Sequence, residues 1–203
     1  MKKLITIVLA LLLALSLCAV SMAETVHRNP ATIDVNRLGG RRVLTDIRAS
    51  GEGELELTLY ETETFAAAAV EGLKAGDTIV SDGVEYRVET VSKPEEGTVI
   101  LNQGTANELL FVRNPYGEYE HTGDDDIHPQ VVLGKIKVKT DELFAYVLDS
   151  SDVDRELPEV YDTRKLLENL RADPDAYAME NTYVTFDNYN TPSLITRMYT
   201  PWQ

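Results

Sequence analysis

Cysteine is almost absent from this 203-residue chain, and Cys18 is its only one. It lies in an N-terminal segment that we expect to be removed, which leaves a mature chain without cysteine. Such a chain forms no disulfide, no thiolate zinc site and no cysteine nucleophile. Its stability must therefore come from packing, with a bound metal ion as a further contribution.

Basic side chains are also scarce, since 19 Lys and Arg oppose 34 Asp and Glu and give a formal net charge of −15. Removal of the N-terminal segment takes Lys2 and Lys3 with it and makes the mature chain more negative still. A field of this sign repels phosphate backbones and anionic lipids. The composition therefore argues against nucleic-acid and membrane-surface binding, and it favours cationic partners or divalent cations.

Familiar catalytic motifs are missing as well. The sequence has no Gly-x-Ser-x-Gly elbow, no phosphate-binding glycine loop and no dinucleotide fingerprint. Paired carboxylates suit a glycosidase, but with 34 acidic residues chance pairs are expected in any fold. We therefore expect a non-catalytic protein, and a secreted carboxylate-based hydrolase of glycans or peptides is the alternative.

Long apolar runs are absent except for one, over residues 4–17, which follows the positively charged Lys2 and Lys3. Ser21-Met22-Ala23 then places small residues where signal peptidase reads the chain. This order predicts a secretory signal peptide over residues 1–23 and a secreted, extracytoplasmic protein of a bacterium.

Two other interpretations of this N-terminal segment stay open. An uncleaved anchor is disfavoured because the run is shorter than the roughly 20 apolar residues that span a bilayer. A lipoprotein anchored through Cys18 is disfavoured because lipid attachment prefers a small residue where Leu17 stands. No later run is long and apolar enough to cross a bilayer, so we expect no membrane insertion after cleavage.

What the mature chain does contain is a series of short alternating segments. In the clearest one, Leu55, Leu57 and Leu59 alternate with polar residues, which predicts a strand with one buried face. Asp82-Gly83 separates two further runs and predicts a tight hairpin turn, because both central residues must accept positive φ. Predicted strands cover residues 31–35, 42–47, 54–61, 78–80, 84–91, 98–102, 107–113, 131–139, 143–148, 183–187 and 194–199.

Short helices are predicted at 65–73, at 163–171 and from Asp173-Pro174 to Met179. Together these elements predict an α+β, mainly antiparallel β fold. We expect a partly closed small barrel or a sandwich with two or three short peripheral helices. Residues 24–30 are expected to be flexible, and residues 31–203 to form a single domain on which segment 160–203 packs.

The densest group of candidate metal ligands lies in the irregular stretch 114–130. Asp124, Asp125 and Asp126 are adjacent, and their mutual repulsion favours a bound cation or full solvation. Carboxylate oxygens suit calcium. His121 and His128 flank them, but two histidines in a loop do not make the ligand set that zinc requires.

A second acidic run contains Asp152, Asp154 and Glu156, at the spacing of the first oxygen ligands of an EF-hand. The match fails further on, since Leu157 stands where glycine is required and Thr163 where a glutamate is required. A calcium loop of another kind remains a hypothesis. If residues 131–148 form one hairpin, the two acidic runs lie at the same end of it.

Aromatic side chains in the 114–130 stretch favour a binding role. Tyr116 and Tyr119 offer large contact areas at low entropic cost, and His121 and His128 lie beside them. We therefore expect a secreted, non-catalytic binding domain whose ligand-binding residues are Tyr116, Tyr119, His121 and His128. Its partner would be an extracellular glycan, peptide or protein, with calcium as the candidate ion.

Overall fold

The computed structural model describes residues 23–123, 128–143 and 145–199. The chain is mostly β, with 45% of residues in strands and 9% in helices. In chain order the strands are β1 (Thr25–Val26), β2 (Arg42–Gly51), β3 (Glu54–Thr62), β4 (Thr64–Phe65), β5 (Thr78–Ser81), β6 (Val84–Arg87), β7 (Val91–Ser92), β8 (Thr98–Leu101), β9 (Leu109–Arg113), β10 (Tyr119–Thr122), β11 (Gln130–Lys139), β12 (Tyr146–Ser150), β13 (Glu159–Asp162), β14 (Thr182–Phe186) and β15 (Pro192–Met198). The helices of the described part are α1 (Ala67–Gly72) and α2 (Thr163–Ala172).

These strands form three open sheets. One has seven strands in the order β11-β3-β2-β14-β15-β12-β13, one has five in the order β4-β10-β9-β8-β7, and one has three in the order β1-β5-β6. Pairing is antiparallel except between β12 and β15 and between β1 and β5. The prediction of a mainly antiparallel β fold is confirmed. Within the described residues no sheet closes into a barrel, and sandwich packing stays a prediction.

Two hydrophobic cores divide the described chain into two lobes. The larger lobe is the seven-stranded sheet with α2, and its core joins Leu55, Leu57 and Leu59 of β3 to the leucines of α2. The smaller lobe is the other two sheets with α1, and its core centres on Phe65 and Phe111, whose rings meet edge to face at 5.3 Å. The expected single domain therefore contains two separate apolar clusters.

The smaller lobe is an excursion from the larger sheet. β3 ends at Thr62, β11 begins at Gln130, and these two residues are register partners in adjacent antiparallel strands. The chain between them leaves the sheet and returns at the same point. Residues 24–30, expected to be flexible, join this lobe: β1 pairs with β5, and Val26 is buried.

Local sequence rules account for several elements. The predicted turn at Asp82-Gly83 is present, with φ of 51° and 71° at the two residues. α2 begins where predicted, because the Asp162 side chain accepts hydrogen bonds from the backbone N–H groups of Arg164 and Lys165, both at 3.1 Å. Its leucines at 166, 167 and 170 are buried on the core side.

Two predicted elements are wrong. Residues 31–35 form no strand, because the Glu61 carboxylate accepts the N–H groups of Thr32 and Ile33, at 2.9 and 3.3 Å. The segment after Asp173 consists of turns instead of a helix. There the carbonyl of Tyr177 accepts the N–H of Ile47 in β2 at 2.9 Å. In a helix the same carbonyl would accept an N–H group of the helix instead.

The expected hairpin over 131–148 is also wrong. β11 lies at one edge of the seven-stranded sheet, whereas β12 lies next to the other edge and pairs with β13 and β15. The two acidic runs are therefore not at one end of a hairpin. The edge position of β11 fits its lysines, since charged side chains on an edge strand oppose aggregation.

Candidate ligand-binding cleft

A cleft of about 790 Å³ lies where the two lobes meet, and its lining includes Leu44, Tyr60 and Tyr183 on the face of the seven-stranded sheet opposite the buried leucines of β3. β2, β3 and β14 provide its floor, and the turn between β9 and β10 provides one wall. The excursion of the smaller lobe from the end of β3 brings this turn over the sheet.

The floor belongs to a longer row of side chains that crosses the whole sheet. Register partners lie directly opposite each other and share a face, so one residue from each strand can be followed from edge to edge. With strands about 4.8 Å apart, a row of seven spans roughly 29 Å. We call this the open-face row: Val132, Tyr60, Leu44, Tyr183, Thr196, Leu148 and Val160.

Tyr60 is fixed in the floor by its hydroxyl group. The hydroxyl donates to Oδ2 of Asp46 at 2.5 Å, and Oδ1 of Asp46 accepts the backbone N–H of Met179 at 2.7 Å. Partial burial, together with the bond to Asp46, raises the pKa of Tyr60 to about 12. The side chain is therefore a neutral, oriented ring at physiological pH.

The guanidinium group of Arg42 stacks on the ring of Tyr183. Its guanidinium carbon lies 4.1 Å from the centroid of the Tyr183 ring, and its Nη2 is 3.8 Å from the sulfur of Met198. Arg41 follows the same edge of the cleft and is exposed. Within the described residues, neither arginine forms an ion pair with a carboxylate within 4.0 Å.

The β9–β10 turn holds Tyr116 at the lip of the cleft. The side-chain oxygen of Asn114 accepts the backbone N–H groups of Tyr116 and Glu118, each at 3.0 Å. Gly117 adopts a φ of 85°, which this tight turn requires. Tyr116 is 89% exposed, so its ring is free to contact a ligand.

Three carboxylates also line the cleft, and each is held by a neutral donor. The side-chain amide of Asn29 donates a hydrogen bond to Glu118, and that of Asn114 donates one to Glu120, both at 2.8 Å. Glu61 accepts the N–H and the hydroxyl of Thr32. These bonds use some of the hydrogen-bond acceptor positions of each carboxylate, and the remaining positions can accept bonds from a ligand.

The structure places the four predicted binding residues in different environments. Tyr116 lines the cleft, but Tyr119 is 2% exposed and its hydroxyl donates to Glu71 at 3.2 Å inside the smaller lobe. His121 is 9% exposed, because it shares the inward face of β10 with Tyr119. His128 is partly exposed, and its Nδ1 is 3.2 Å from the carbonyl oxygen of His121 and 3.7 Å from the Glu120 carboxylate.

His121 belongs to a buried polar network. The hydroxyl of Ser81 donates to Glu63 at 2.7 Å, so its oxygen must accept the Nδ1–H of His121 at 2.9 Å. Burial lowers the pKa of His121, which favours its neutral form. Ser81 is fully buried and lies between the acid and the imidazole, which is not the order of a catalytic triad. The network stabilises the smaller lobe.

The predicted metal ligands are not brought together in the described part of the chain. Asp124, Asp125 and Asp126 lie outside the described residues. Asp152 forms an ion pair with Arg155 at 3.1 Å and accepts the N–H of Asp154, while Glu156 is exposed. Over residues 23–123, 128–143 and 145–199, no three His, Cys, Asp or Glu side chains are grouped to hold an ion. Calcium binding stays a prediction.

Several cleft residues were missed from sequence, and some carried a signal. Tyr60 is out of phase with the buried leucines of β3, which places it on the opposite face. Glu120 alternates with Tyr119 and His121 in the same way. Arg42 and Tyr183 gave no such signal, since their proximity depends on the pairing of β2 with β14.

Comparison of this chain with protein-family models, with curated proteins and with solved structures found no match. In the part of the chain that the structure describes, no helix is long and apolar enough to span a membrane. The cleft is therefore the feature of the molecule from which a function can be inferred.

Proposed function

We propose that this protein is a secreted, non-catalytic binding domain that holds a glycan chain in the cleft between its lobes. The observation that carries the proposal is the combination of an exposed Tyr116 at the lip with a fixed Tyr60 in the floor. Aromatic rings contribute large contact areas with little loss of conformational entropy, and their polar tips donate hydrogen bonds.

The lining favours a hydroxylated ligand over an apolar one. Fifteen residues line the cleft, and only Ile33, Val43 and Leu44 are purely aliphatic. The others carry hydroxyl, amide, carboxylate or guanidinium groups, which match the many hydroxyl groups of a sugar chain. A peptide or a folded protein is the alternative partner, and it would need a more apolar centre.

The open-face row supports a chain-like ligand in preference to a single sugar. From Tyr183, which lines the cleft, the row continues through Thr196 to Leu148 and Val160. Val160 is 61% exposed, so this part of the row is accessible. A polymer anchored under Tyr116 has room to extend along the sheet.

The alternative function is a hydrolase that uses the cleft carboxylates, and it is favoured by the presence of Glu118 and Glu120 on one wall. Against it, both side chains accept an asparagine amide, and such bonds are typical of groups that stabilise a turn.

The test is a binding screen of residues 24–203 against neutral and acidic polysaccharides, by affinity electrophoresis and then by calorimetry. Tyr116→Ala should weaken binding to any polysaccharide that binds by at least about tenfold, since an aromatic anchor contributes about 2 kcal/mol and about 1.4 kcal/mol is already tenfold. Tyr189→Ala is the matched control, because Tyr189 is 87% exposed and does not line the cleft.

Two results would contradict the proposal. Binding by no polysaccharide excludes a glycan ligand, and equal effects of Tyr116→Ala and Tyr189→Ala exclude this cleft. Release of reducing ends by the native protein, abolished in Glu118→Gln or Glu120→Gln, would establish the hydrolase instead.

A further inference from the structure

We infer that the glycan bound in this cleft is acidic, with carboxylates spaced by neutral sugars, and that Arg41 and Arg42 bind those carboxylates. This inference rests on the proposed function. It names the class of ligand from the charges that line the cleft.

The first step is the position of the two arginines within an acidic chain. The formal net charge is −15, so a guanidinium group meets carboxylates at most places on the surface. Arg41 and Arg42 are adjacent, line the same cleft and form no ion pair within 4.0 Å in the described residues. Six other arginines of the described part do form such pairs, namely Arg37, Arg48, Arg113, Arg155, Arg164 and Arg197. Arg28, Arg87 and Arg171 form none either, but of the described arginines only Arg41 and Arg42 line this cleft.

The second step is the geometry of Arg42. The ring of Tyr183, 4.1 Å from its guanidinium carbon, supports one face of the planar group, and the Met198 sulfur lies near Nη2. A stacked guanidinium has lost part of its rotational freedom before any ligand arrives. It presents N–H groups in a fixed fork, which matches the two oxygens of a carboxylate.

The third step is the negative charge in the same cleft, which limits how acidic the ligand can be. Glu61, Glu118 and Glu120 line the same cleft, and their carboxylates repel a ligand that is negative at every unit. They accept hydrogen bonds from sugar hydroxyl groups. A chain in which carboxylate-bearing and neutral sugars alternate can satisfy both the arginines and the carboxylates of the cleft.

The probe is an oligosaccharide of hyaluronan, in which uronic acid and neutral sugars alternate, studied by calorimetry with the mature chain. The matched ligand is the same oligosaccharide with its carboxylates reduced to alcohols. Polygalacturonate, with a carboxylate on every sugar, and a neutral β-glucan complete the set. Arg41→Gln/Arg42→Gln is the variant, and Arg87→Gln is the control because Arg87 is exposed on β6, outside the cleft.

The native protein should bind hyaluronan, and both the double variant and carboxyl reduction should weaken binding at least tenfold, which is about 1.4 kcal/mol. The two losses should not add, because each removes the same contact. Arg87→Gln should change affinity by less than twofold. Arg42→Lys should lose most of the affinity although the charge is kept, since the ammonium group has no fork. Melting curves of each variant separate loss of binding from loss of folding.

Other results overturn the inference in distinguishable ways. Equal affinity for native and carboxyl-reduced hyaluronan, or binding of β-glucan alone, excludes carboxylate recognition and leaves the glycan function intact. Tighter binding of polygalacturonate than of hyaluronan excludes the alternating pattern. Binding of none of these glycans overturns the inference, and failure of the wider screen overturns the proposed function with it.

Discussion

The two lobes are stabilised in different ways. Strands of the larger lobe reach ten residues, as in β2 and β11, and their alternation buries one face of a continuous sheet against α2. Strands of the smaller lobe have two to five residues, and tight turns such as Asp82-Gly83 join them. The larger lobe therefore has a regular face that remains open to a ligand, whereas the smaller lobe positions a turn beside it.

Each lobe also buries a polar network, and the two networks differ in charge. In the larger lobe, Oδ2 of Asp149 accepts the hydroxyl of Tyr161 at 2.7 Å and Nη1 of Arg197 at 3.4 Å. In the smaller lobe, Glu63 and His121 are joined through Ser81. The first network contains an ion pair and a phenol, whereas the second contains an imidazole whose pKa is lowered by burial. The two lobes should therefore respond differently to acid and to the loss of one charge.

The largest effect is expected from the two cores. Leu57→Ala and Phe111→Ala each remove a fully buried side chain, and each should lower the free energy of unfolding by about 2–5 kcal/mol. Hydrogen exchange should increase only in the smaller lobe for Phe111→Ala. For Leu57→Ala hydrogen exchange should increase in both lobes. Leu57 lies in β3, and the pairing of β3 with β11 holds together the two ends of the segment that forms the smaller lobe. If both variants give the same exchange pattern, the lobes unfold as one unit, as a single domain predicts.

The buried ion pair should give the next effect. Asp149→Asn leaves Arg197 without its carboxylate in a site where the two side chains are only 12% and 17% exposed, and should cost about 3 kcal/mol. The matched control is Asp152→Asn, since Asp152 is about half exposed in its pair with Arg155 and should cost less than about 1 kcal/mol. Denaturant unfolding measures both. Similar losses would contradict the difference in burial on which this prediction depends.

Acid should destabilise the smaller lobe at a pH where the larger lobe is still stable. Burial lowers the pKa of His121 in the folded state below its ordinary value of 6.5, so the unfolded chain binds more protons as the pH falls through that value. The smaller lobe should therefore lose stability between pH 7 and pH 5.

Over the same range the larger lobe should stay intact. Burial acts to raise the pKa of Asp149, but hydrogen bonds from Ser151 and Tyr161 and the charge of Arg197 outweigh it and hold the pKa below 3.8. Its contribution is therefore lost only at lower pH. Hydrogen exchange at pH 7 and pH 5, corrected for intrinsic rates, measures the difference. His121→Gln should remove this pH-dependent increase of exchange in the smaller lobe, whereas His27→Gln, at an exposed position, should not. The opposite pattern would exclude His121 as the group responsible for the increase.

The smallest effect concerns the turns. Gly83→Ala places a side chain at a φ of 71° and should cost about 1 kcal/mol. Gly72→Ala at the end of α1 meets no atom within 4 Å and should be neutral or stabilising by up to about 1 kcal/mol. The melting temperature should therefore fall in Gly83→Ala and stay the same or rise in Gly72→Ala. A loss of stability in Gly72→Ala alone would contradict the difference in backbone conformation.

Much of the local structure was predictable, because neighbouring residues decide it. The alternation of Leu55, Leu57 and Leu59 identified β3, and Asp82-Gly83 identified the hairpin turn between β5 and β6. β10 was missed because four residues after an irregular turn give little periodicity. This single error left Tyr119 and His121 among the predicted ligand-binding residues, although both are buried.

The strand-rich fold, the net negative charge and the turn at 82–83 could be predicted, since each depends on composition or on residues close together in the chain. The pairing of β3 with β11 across an excursion, and of β2 with β14, became known from the folded chain alone. Those pairings bring Arg42 onto Tyr183 and place Tyr60 in the same floor. The physical reason is that contacts between distant segments are selected by burial of the whole core, for which a short sequence window has no signal.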